Sequence, residues 1–523
     1  MSGPGTVLSR QCIAISYLIV TYGRVRLLNA SVWQCYLRIC WLPTKFMSFI
    51  PYCQHNLLQL EDQSVFYKGA PMMNAAHAKD SKTMILKTLD THLSQSGYNR
   101  ASARAASIWH SAILPYLATR FGLVLVGLLA DFYLLPLLKH NSVLPSPAAN
   151  TQFPDLLWLM WQRFDSGFYL NLAKTGYWPA STLHTYSNWA FFPLYPLLLF
   201  LFAHLFGGSD VAFSLAGLLV SNVAALLAVC YFYRLVQREF GANTASLSVI
   251  YLALFPTAFF LSAVYTESLF LACSVACIYY AREHHWWLAG LCGGLASLAR
   301  AQGVLLFLPV VWEYWQVMSA HYAPLTSTAN DHFQERVRAW LTSRLRGPLL
   351  AARELRNWVS LFALGLIPAG LLAFLAYGKM KTGHFLATFH NQQWGWGRSF
   401  ENPWQLLSTS LTHPERANPM DWNFWILNMC VVLLFLALTV WAFRKLPMIY
   451  ALFTLVMVLF PLSSSRLNSS SRYYLVVFPV FILLALWSKN AEHANRRLLI
   501  MILFAMLQAV LMVFFVLGLP AIA

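Results

Sequence analysis

The chain has 523 residues, of which 58% are hydrophobic and only 11% are charged, whereas about 25% of the residues of a soluble globular domain are charged. Apolar runs of near-spanning length recur from residue 118 to the C-terminus, and they predict an all-α polytopic membrane protein. The net charge of +17 does not require a nucleic-acid partner, because the cytoplasmic loops of membrane proteins are rich in lysine and arginine. We therefore expect a membrane lipid as a partner and no nucleic acid.

The nine cysteines form no CxxC pair, and five of them lie inside apolar segments. Cysteines in such positions behave as small hydrophobic residues. The sequence therefore predicts neither a disulfide framework nor a metal site, and we expect no cofactor.

Two regions differ in composition. Residues 1–111 are basic and contain only short, broken apolar runs, which predicts a poorly structured cytoplasmic extension; a true translation start at Met84 is the alternative interpretation. Residues 112–523 are predicted to form the multi-span domain. Its first outer loop is expected at 139–210 and its second at 378–420.

Eleven candidate spans follow in chain order: 118–138, 212–236, 244–262, 265–281, 286–299, 302–318, 357–377, 421–443, 447–462, 472–488 and 497–519. The apolar segment 190–206 is not counted, because Pro193 and Pro196 interrupt it, and we expect it to be re-entrant or interfacial. If it crossed, the arginines and lysines of the later loops would face outward, against the positive-inside rule. The same rule favours a turn near Arg300 between two short spans.

This topology gathers unusual polar residues on the outer side. The two outer loops, the turns at 265–267 and at 300, and the segment 463–472 all lie there. The sequence therefore predicts an extracytoplasmic site.

Asp165 is the strongest candidate for chemistry. Residues 155–173 have the pattern of one amphipathic helix with Gln162, Asp165 and Tyr169 on its polar face, and such a helix would lie in the membrane interface. Carboxylates at membrane depth are costly and often functional, and an aspartate in a partly wet cavity can act as a general base. An aspartate that only caps a helix or lies in a loop is the alternative.

Other side chains are candidates for binding. Glu267 begins a predicted span, where it either stabilises the first helical turn or orients a sugar hydroxyl or an arginine. Arg300, Arg466 and Arg472 suit phosphate, because a guanidinium can donate to two oxygens at once. Snorkelling to lipid headgroups and a solvated loop are the alternatives for these arginines. Trp394 and Trp396 either stack on a sugar or belong to an interfacial belt.

Several blocks resemble the GPI mannosyltransferase 2 family and its bacterial relatives. The segment WQRFDSGFYLNLAKTGY at 161–177 resembles the family pattern W-x-R-W-D-x-x-x-[FY]-x-x-I-A-x-x-G-Y, and NWAFFPLYP at 188–196 matches A-F-F-P-x-x-P. Residues 254–270 and 472–479 resemble later blocks of the bacterial branch. The resemblance covers about 110 to 520. Two positions depart from the family. Phe164 stands where the pattern has tryptophan, and Ala301-Gln302 stands where Pro-Thr-like residues are common in the family.

The resemblance implies a C-type glycosyltransferase fold, with an acidic residue in the first outer loop and a polyprenyl- or dolichyl-phosphate sugar as donor. With the residues above, it predicts Asp165 as the catalytic base and Arg300, Arg472 and Arg466 as ligands of the donor phosphate. The substrate-binding residues are predicted to be Arg163, Tyr169, Asn188, Tyr265, Glu267, Gln393, Trp394 and Trp396.

The predicted activity is therefore an inverting transfer of mannose, or another hexose, to a hydroxyl of a glycan or glycolipid acceptor. The site would face outward from the plasma membrane of a bacterium or into the endoplasmic reticulum of a eukaryote. The alternative function is a lipid or sugar transporter or flippase, which would have charged residues at mid-span and inverted repeats.

Overall fold

The computed structural model describes residues 107–140, 154–324, 333–413, 425–467 and 469–519. The predicted N-terminal extension, 1–111, lies almost entirely outside the described residues. Within them the regular structure is helical, and the one β-type pairing is an isolated bridge between Phe400 and Ser464. The all-α prediction is confirmed.

Nineteen helices are numbered here in chain order. They are α1 (Trp109–Leu137), α2 (Leu156–Leu159), α3 (Ser166–Thr175), α4 (Leu194–Leu205), α5 (Asp210–Phe240), α6 (Ala242–Leu254), α7 (Glu267–Arg282), α8 (Trp286–Ala299), α9 (Phe307–Tyr322), α10 (Phe333–Ala351), α11 (Leu355–Leu364), α12 (Leu366–Thr382), α13 (Ala387–Trp394), α14 (Pro403–Thr412), α15 (Trp425–Lys445), α16 (Met448–Leu462), α17 (Ser470–Tyr474), α18 (Pro479–Ser488) and α19 (Ala494–Val516). Short 3-10 turns join several of them.

Among the described residues, five helices are long and apolar enough to cross a membrane: α1, α5, α9 with the 3-10 turn before it, α15 and α19. The pair α11 and α12, bent by 46°, makes a sixth if it counts as one span. The protein is thus an integral membrane protein. The predicted count of eleven spans is not confirmed, because several predicted spans form apolar helices of only 10 to 15 residues.

The segment 190–206 forms α4, which begins after Pro193 and has 12 residues. A helix of that length extends about 18 Å, less than the roughly 30 Å hydrocarbon core of a bilayer. Its re-entrant or interfacial placement stays a prediction.

The predicted turn at Arg300 is present. Arg300 has an extended backbone (φ −155°, ψ 148°) that ends α8, and the 3-10 turn Ala301–Leu306 follows it. Gly303 lies so close to Ala296 that a Cβ at position 303 would collide with the Ala296 backbone. Residues seven apart in a continuous helix would be about 10 Å apart, so the chain reverses here and Arg300 lies at the turn.

Close packing of glycines holds α8 against α11 and α12. A Cβ on Gly290 would collide with the carbonyl oxygen of Ala363, and one on Gly370 with that of Gly294. Small residues at such positions let membrane helices approach closely. This contact fixes α8, and with it the position of Arg300 at the end of α8.

Helix α7 is buried along most of its length and connects two polar regions. Its first residue, Glu267, is buried in one of them. At its last residue, Arg282 forms ion pairs with Glu239 (Nε to Oε1, 2.7 Å) and Glu313 (Nη1 to Oε1, 2.5 Å). Because a 16-residue helix is about 24 Å long, the two polar regions lie at opposite ends of the helix bundle.

Candidate active site

The chain bends sharply just before Asp165. Helix α2 ends at Leu159 and α3 begins at Ser166, and Phe164 between them has a left-handed backbone (φ 54°). The prediction of one amphipathic helix over 155–173 is therefore wrong, because a residue in this conformation ends a right-handed helix. Tyr265 holds the bend: its hydroxyl donates to the carbonyl of Arg163 (2.9 Å) and accepts from the backbone N–H of Asp165 (3.2 Å).

Four charged residues that are far apart in the sequence meet beside this bend. The Nη1 of Arg472 lies 2.8 Å from Oδ2 of Asp165, and its Nε lies 3.3 Å from Oε1 of Glu267. The same Oε1 of Glu267 accepts a hydrogen bond from Nη1 of Arg300 at 2.6 Å. The loop that contains Asp165, α7, the α8 turn and α17 thus meet in one ion cluster, defined as Asp165, Glu267, Arg300 and Arg472.

The two carboxylates of the ion cluster differ in access. The side chain of Glu267 is 1% exposed, whereas that of Asp165 is 19% exposed. Asp165 occupies the N-cap position of α3, but its side chain caps no backbone N–H and bonds Arg472 instead. Asp165 is therefore the more accessible of the two carboxylates, while Glu267 holds two guanidinium groups in place.

Sequence reasoning missed Arg398 and Tyr473, which contact the ion cluster. Nη1 of Arg398 donates to the hydroxyl of Tyr473 at 2.6 Å, and the guanidinium carbons of Arg300, Arg398 and Arg472 lie 5.0, 5.5 and 5.4 Å from the centre of its ring. Burial raises the pKa of Tyr473, but these three cations outweigh it and lower that pKa to about 8. The one sequence feature that hints at either residue is that Tyr473 follows Arg472 directly.

Arg466 borders this group. A Cβ on Gly397, which has φ +62°, would collide with the guanidinium of Arg466, so glycine gives that side chain its room. Four arginines, at 300, 398, 466 and 472, therefore surround a region in which Asp165 and Glu267 supply the negative charge. The excess of positive charge suits an anionic ligand.

An aromatic surface borders Asp165. The ring of Phe168 stacks on Phe191 (4.9 Å between centres) and meets Trp396 edge-on (5.3 Å), and Tyr186 lies 4.1 Å from Trp396. Tyr186 is 53% exposed, and partial burial together with the negative charge of Asp165 raises its pKa to about 12. We call the rings of Phe168, Tyr186, Phe191 and Trp396 the aromatic platform. Tyr186 was not among the predicted residues.

The other predicted binding residues have different surroundings. Tyr169 is buried, with its hydroxyl 3.3 Å from that of Thr266. The Nε of Arg163 donates to the carbonyl of Val516, and the side chain of Asn188 bonds Gly176 and Trp178 within the loop. Gln393 and Trp394 are exposed at the end of α13. The roles predicted for these residues in binding substrate stay predictions.

Residues 133–352 match the family model for mannosyltransferase (PIG-V). The predicted family resemblance is confirmed over these residues, and so is the predicted glycosyltransferase class. The match includes the segment with Asp165 and also Glu267 and Arg300. No curated protein matches the chain.

The chain also has similarities to solved structures. One is ArnT from Cupriavidus metallidurans bound to undecaprenyl phosphate, with 13% identity, a TM-score of 0.38, and coverage of 69% of this chain and 75% of that one. Another is the oligosaccharyltransferase AglB from Archaeoglobus fulgidus with an inhibitory peptide and a dolichol-phosphate, with 12% identity and a TM-score of 0.37. That match covers 78% of this chain and 56% of the archaeal one.

The environment of Tyr473 predicts an unusual titration. In purified protein, near-ultraviolet absorbance should show a tyrosinate phase near pH 8, and Tyr473→Phe should abolish it. Arg398→Gln should move the phase to higher pH, because one of the cations that favour the tyrosinate is lost. Arg444→Gln, at an exposed arginine outside the site, is the control and should leave it unchanged. A phase that stays in place in Arg398→Gln would contradict the arrangement.

Proposed function

We propose that the protein transfers mannose, or another hexose, from a polyprenyl- or dolichyl-phosphate sugar to an acceptor hydroxyl, with inversion at the anomeric carbon. The observation that supports this most directly is the ion cluster, in which an accessible carboxylate lies beside guanidinium groups. A base and a phosphate site must be adjacent for such a transfer, since the bond that forms and the bond that breaks share one carbon atom.

Asp165 is the proposed general base. Its carboxylate takes the proton of the acceptor hydroxyl as the acceptor oxygen attacks the anomeric carbon. The bond from that carbon to the phosphate oxygen breaks on the opposite face, and its electron pair stays on the phosphate. The transition state has the oxocarbenium-like charge of other glycosyl displacements. The ion pair with Arg472 fixes the orientation of the carboxylate, which is what a positioned base needs.

The arginines stabilise the leaving group. The donor is a phosphodiester with one negative charge, and the departing lipid phosphate is a monoester that can carry two. Cations beside it therefore interact more strongly with the transition state than with the ground state, which is the condition for catalysis. Arg300 and Arg472, both anchored by Glu267, are already in place before the donor binds. We assign Arg398 and Arg466 to the same phosphate region.

The aromatic platform is the proposed acceptor surface. It lies next to Asp165 and includes the half-exposed ring of Tyr186. Flat apolar rings with a hydroxyl at the edge suit the face of a sugar, which has C–H groups on one side and hydroxyls around its rim. An acceptor held there would present a hydroxyl to Asp165.

The extracytoplasmic face is the proposed location of the site. Arg238, Arg282, Arg444 and Lys445 lie in the last turns of α5, α7 and α15. For α7 this is the end remote from Glu267, so the positive-inside rule favours a cytoplasmic location for that end. The ion cluster, at the other end of α7, then faces outward.

The central test is Asp165→Asn, assayed in detergent with radiolabelled lipid-linked mannose. The amide keeps the shape but cannot accept the proton, so turnover should fall by about 10² to 10⁴. Asp155→Asn is the matched control, because Asp155 is exposed and its side chain makes no capping bond. Near-full turnover in Asp165→Asn would remove this residue from the mechanism. Failure of the unaltered protein to consume the donor would favour a transporter.

The aromatic platform gives a second prediction. Tyr186→Ala should raise the KM for an acceptor extracted from host membranes by about three- to tenfold, the value of one aromatic contact, and leave the KM for the donor unchanged. Tyr186→Phe, which keeps the ring, should restore most of the affinity. Trp404→Ala, at an exposed tryptophan elsewhere in the second outer loop, is the control. Equal effects on the two KM values would contradict the assignment.

A further inference from the structure

A second cavity lies at the end of the bundle remote from the ion cluster. It has a volume of about 730 Å³, and its walls come from three places: the turn between α7 and α8, the last turn of α9, and the start of α11. Helix α7 runs from the ion cluster to this cavity, and α8 runs from the cavity back to Arg300. The two sites are therefore about 24 Å apart and open at opposite ends of the same helical hairpin.

The polar lining of this cavity consists mainly of hydrogen-bond donors. His284 and His285 enter from the α7–α8 turn, His321 from α9 and Arg356 from α11. Within the described part of the chain, Arg356 forms no ion pair. Imidazole rings donate through an N–H in the neutral form and through two in the charged form. A phosphate group, which only accepts when ionised, fits such a lining.

One carboxylate, Glu354, also lines the cavity. It lies beside the hydroxyl of Tyr322, with which it interacts. Arg353, next to Glu354 in the chain, is exposed. The lining thus contains one carboxylate beside one arginine and three histidines.

The rim of the cavity is apolar and exposed. Trp287 and Leu288 at the start of α8 and Val359 on α11 all line it and are exposed. A freely soluble anion would gain nothing from these side chains, but the first methylenes of an acyl chain would cover them. Basic pockets between membrane helices at the cytoplasmic surface are sites where anionic lipid headgroups bind.

We propose that this cavity binds the phosphate-bearing headgroup of an anionic membrane lipid. Arg356, His284 and His321 would donate to the phosphate oxygens, and the acyl chains would lie over Trp287, Leu288 and Val359. The site is separate from the ion cluster and does not depend on the function proposed for it.

The test uses the full chain, purified in detergent, and native mass spectrometry with added lipid. Dioleoyl phosphatidylglycerol should be retained about tenfold more than dioleoyl phosphatidylcholine, which has the same chains but no net charge. The double variant Arg356→Gln, His321→Gln should lose this preference. Arg444→Gln, which removes an exposed cation outside the cavity, should keep it. Thermal unfolding of each variant shows whether the fold is retained, and Arg356→Gln alone serves if the double variant does not fold.

The proposal would be overturned by equal retention of the two lipids, by an equal loss of preference in Arg444→Gln, or by an unchanged preference in the folded Arg356→Gln variant. Competition with inorganic phosphate distinguishes a lipid headgroup from the free phosphate ion as the ligand. If the site binds lipid, inorganic phosphate at the same concentration should not displace the bound phosphatidylglycerol. Displacement at equal concentration would indicate a site for the free anion and overturn the lipid assignment.

Discussion

Arg472 is the residue on which the arrangement of the active site depends. Its guanidinium is almost fully buried and contacts both Asp165, in the loop before α3, and Glu267, at the start of α7. Leaving one member of such a buried pair without its partner costs about 3 to 5 kcal/mol. The loop, the helix and α17 are therefore held in one geometry by charge, and the bend at Phe164 that exposes Asp165 is maintained with them.

The two acids of the ion cluster differ in burial and in their partners. Glu267 is buried and shared by Arg300 and Arg472, so it holds the two cations in position. Asp165 shares Arg472 but remains accessible. When no phosphate is bound, the two carboxylates compensate the positive charge of the arginine side chains. A phosphate that enters the site can compete with the carboxylates for these side chains. Glu267 supplies negative charge that partly compensates the burial of the two guanidinium groups.

The sequence predicted the features that local patterns encode. Apolar periodicity predicted the helices, and the distribution of charge predicted the turn at Arg300. The structure shows this turn, where Gly303 packs so closely on Ala296 that no Cβ would fit between them. Motifs around Asp165 and Arg472 identified two residues that prove to form an ion pair. The lengths of the helices were less well predicted, because many of the apolar helices are too short to count as membrane spans by themselves.

Tertiary contacts could not be read from the chain. The bend at Phe164 depends on the hydroxyl of Tyr265, 100 residues away, and the anion that Arg300 needs is Glu267, which no local spacing connects to it. Arg398 and Tyr186 lie in loops without helical periodicity, so only the folded chain shows that they border the site. Asn188 lies in a recognisable motif, and only the folded chain shows that its side chain bonds the loop backbone.

Under the proposed function, the end of the bundle that contains the ion cluster faces away from the cytoplasm, while the other end of α7 faces the cytoplasm. Side-specific cysteine labelling tests this directly, in an active variant from which the nine native cysteines have been removed. Gly167→Cys, at an exposed position where a Cβ meets no other atom within 4 Å, lies beside Asp165, and His284→Cys lies at the opposite end. A membrane-impermeant maleimide applied from outside should label position 167 at once and position 284 only after permeabilisation. Labelling of both positions from the same side, or of 284 alone from outside, would contradict the account.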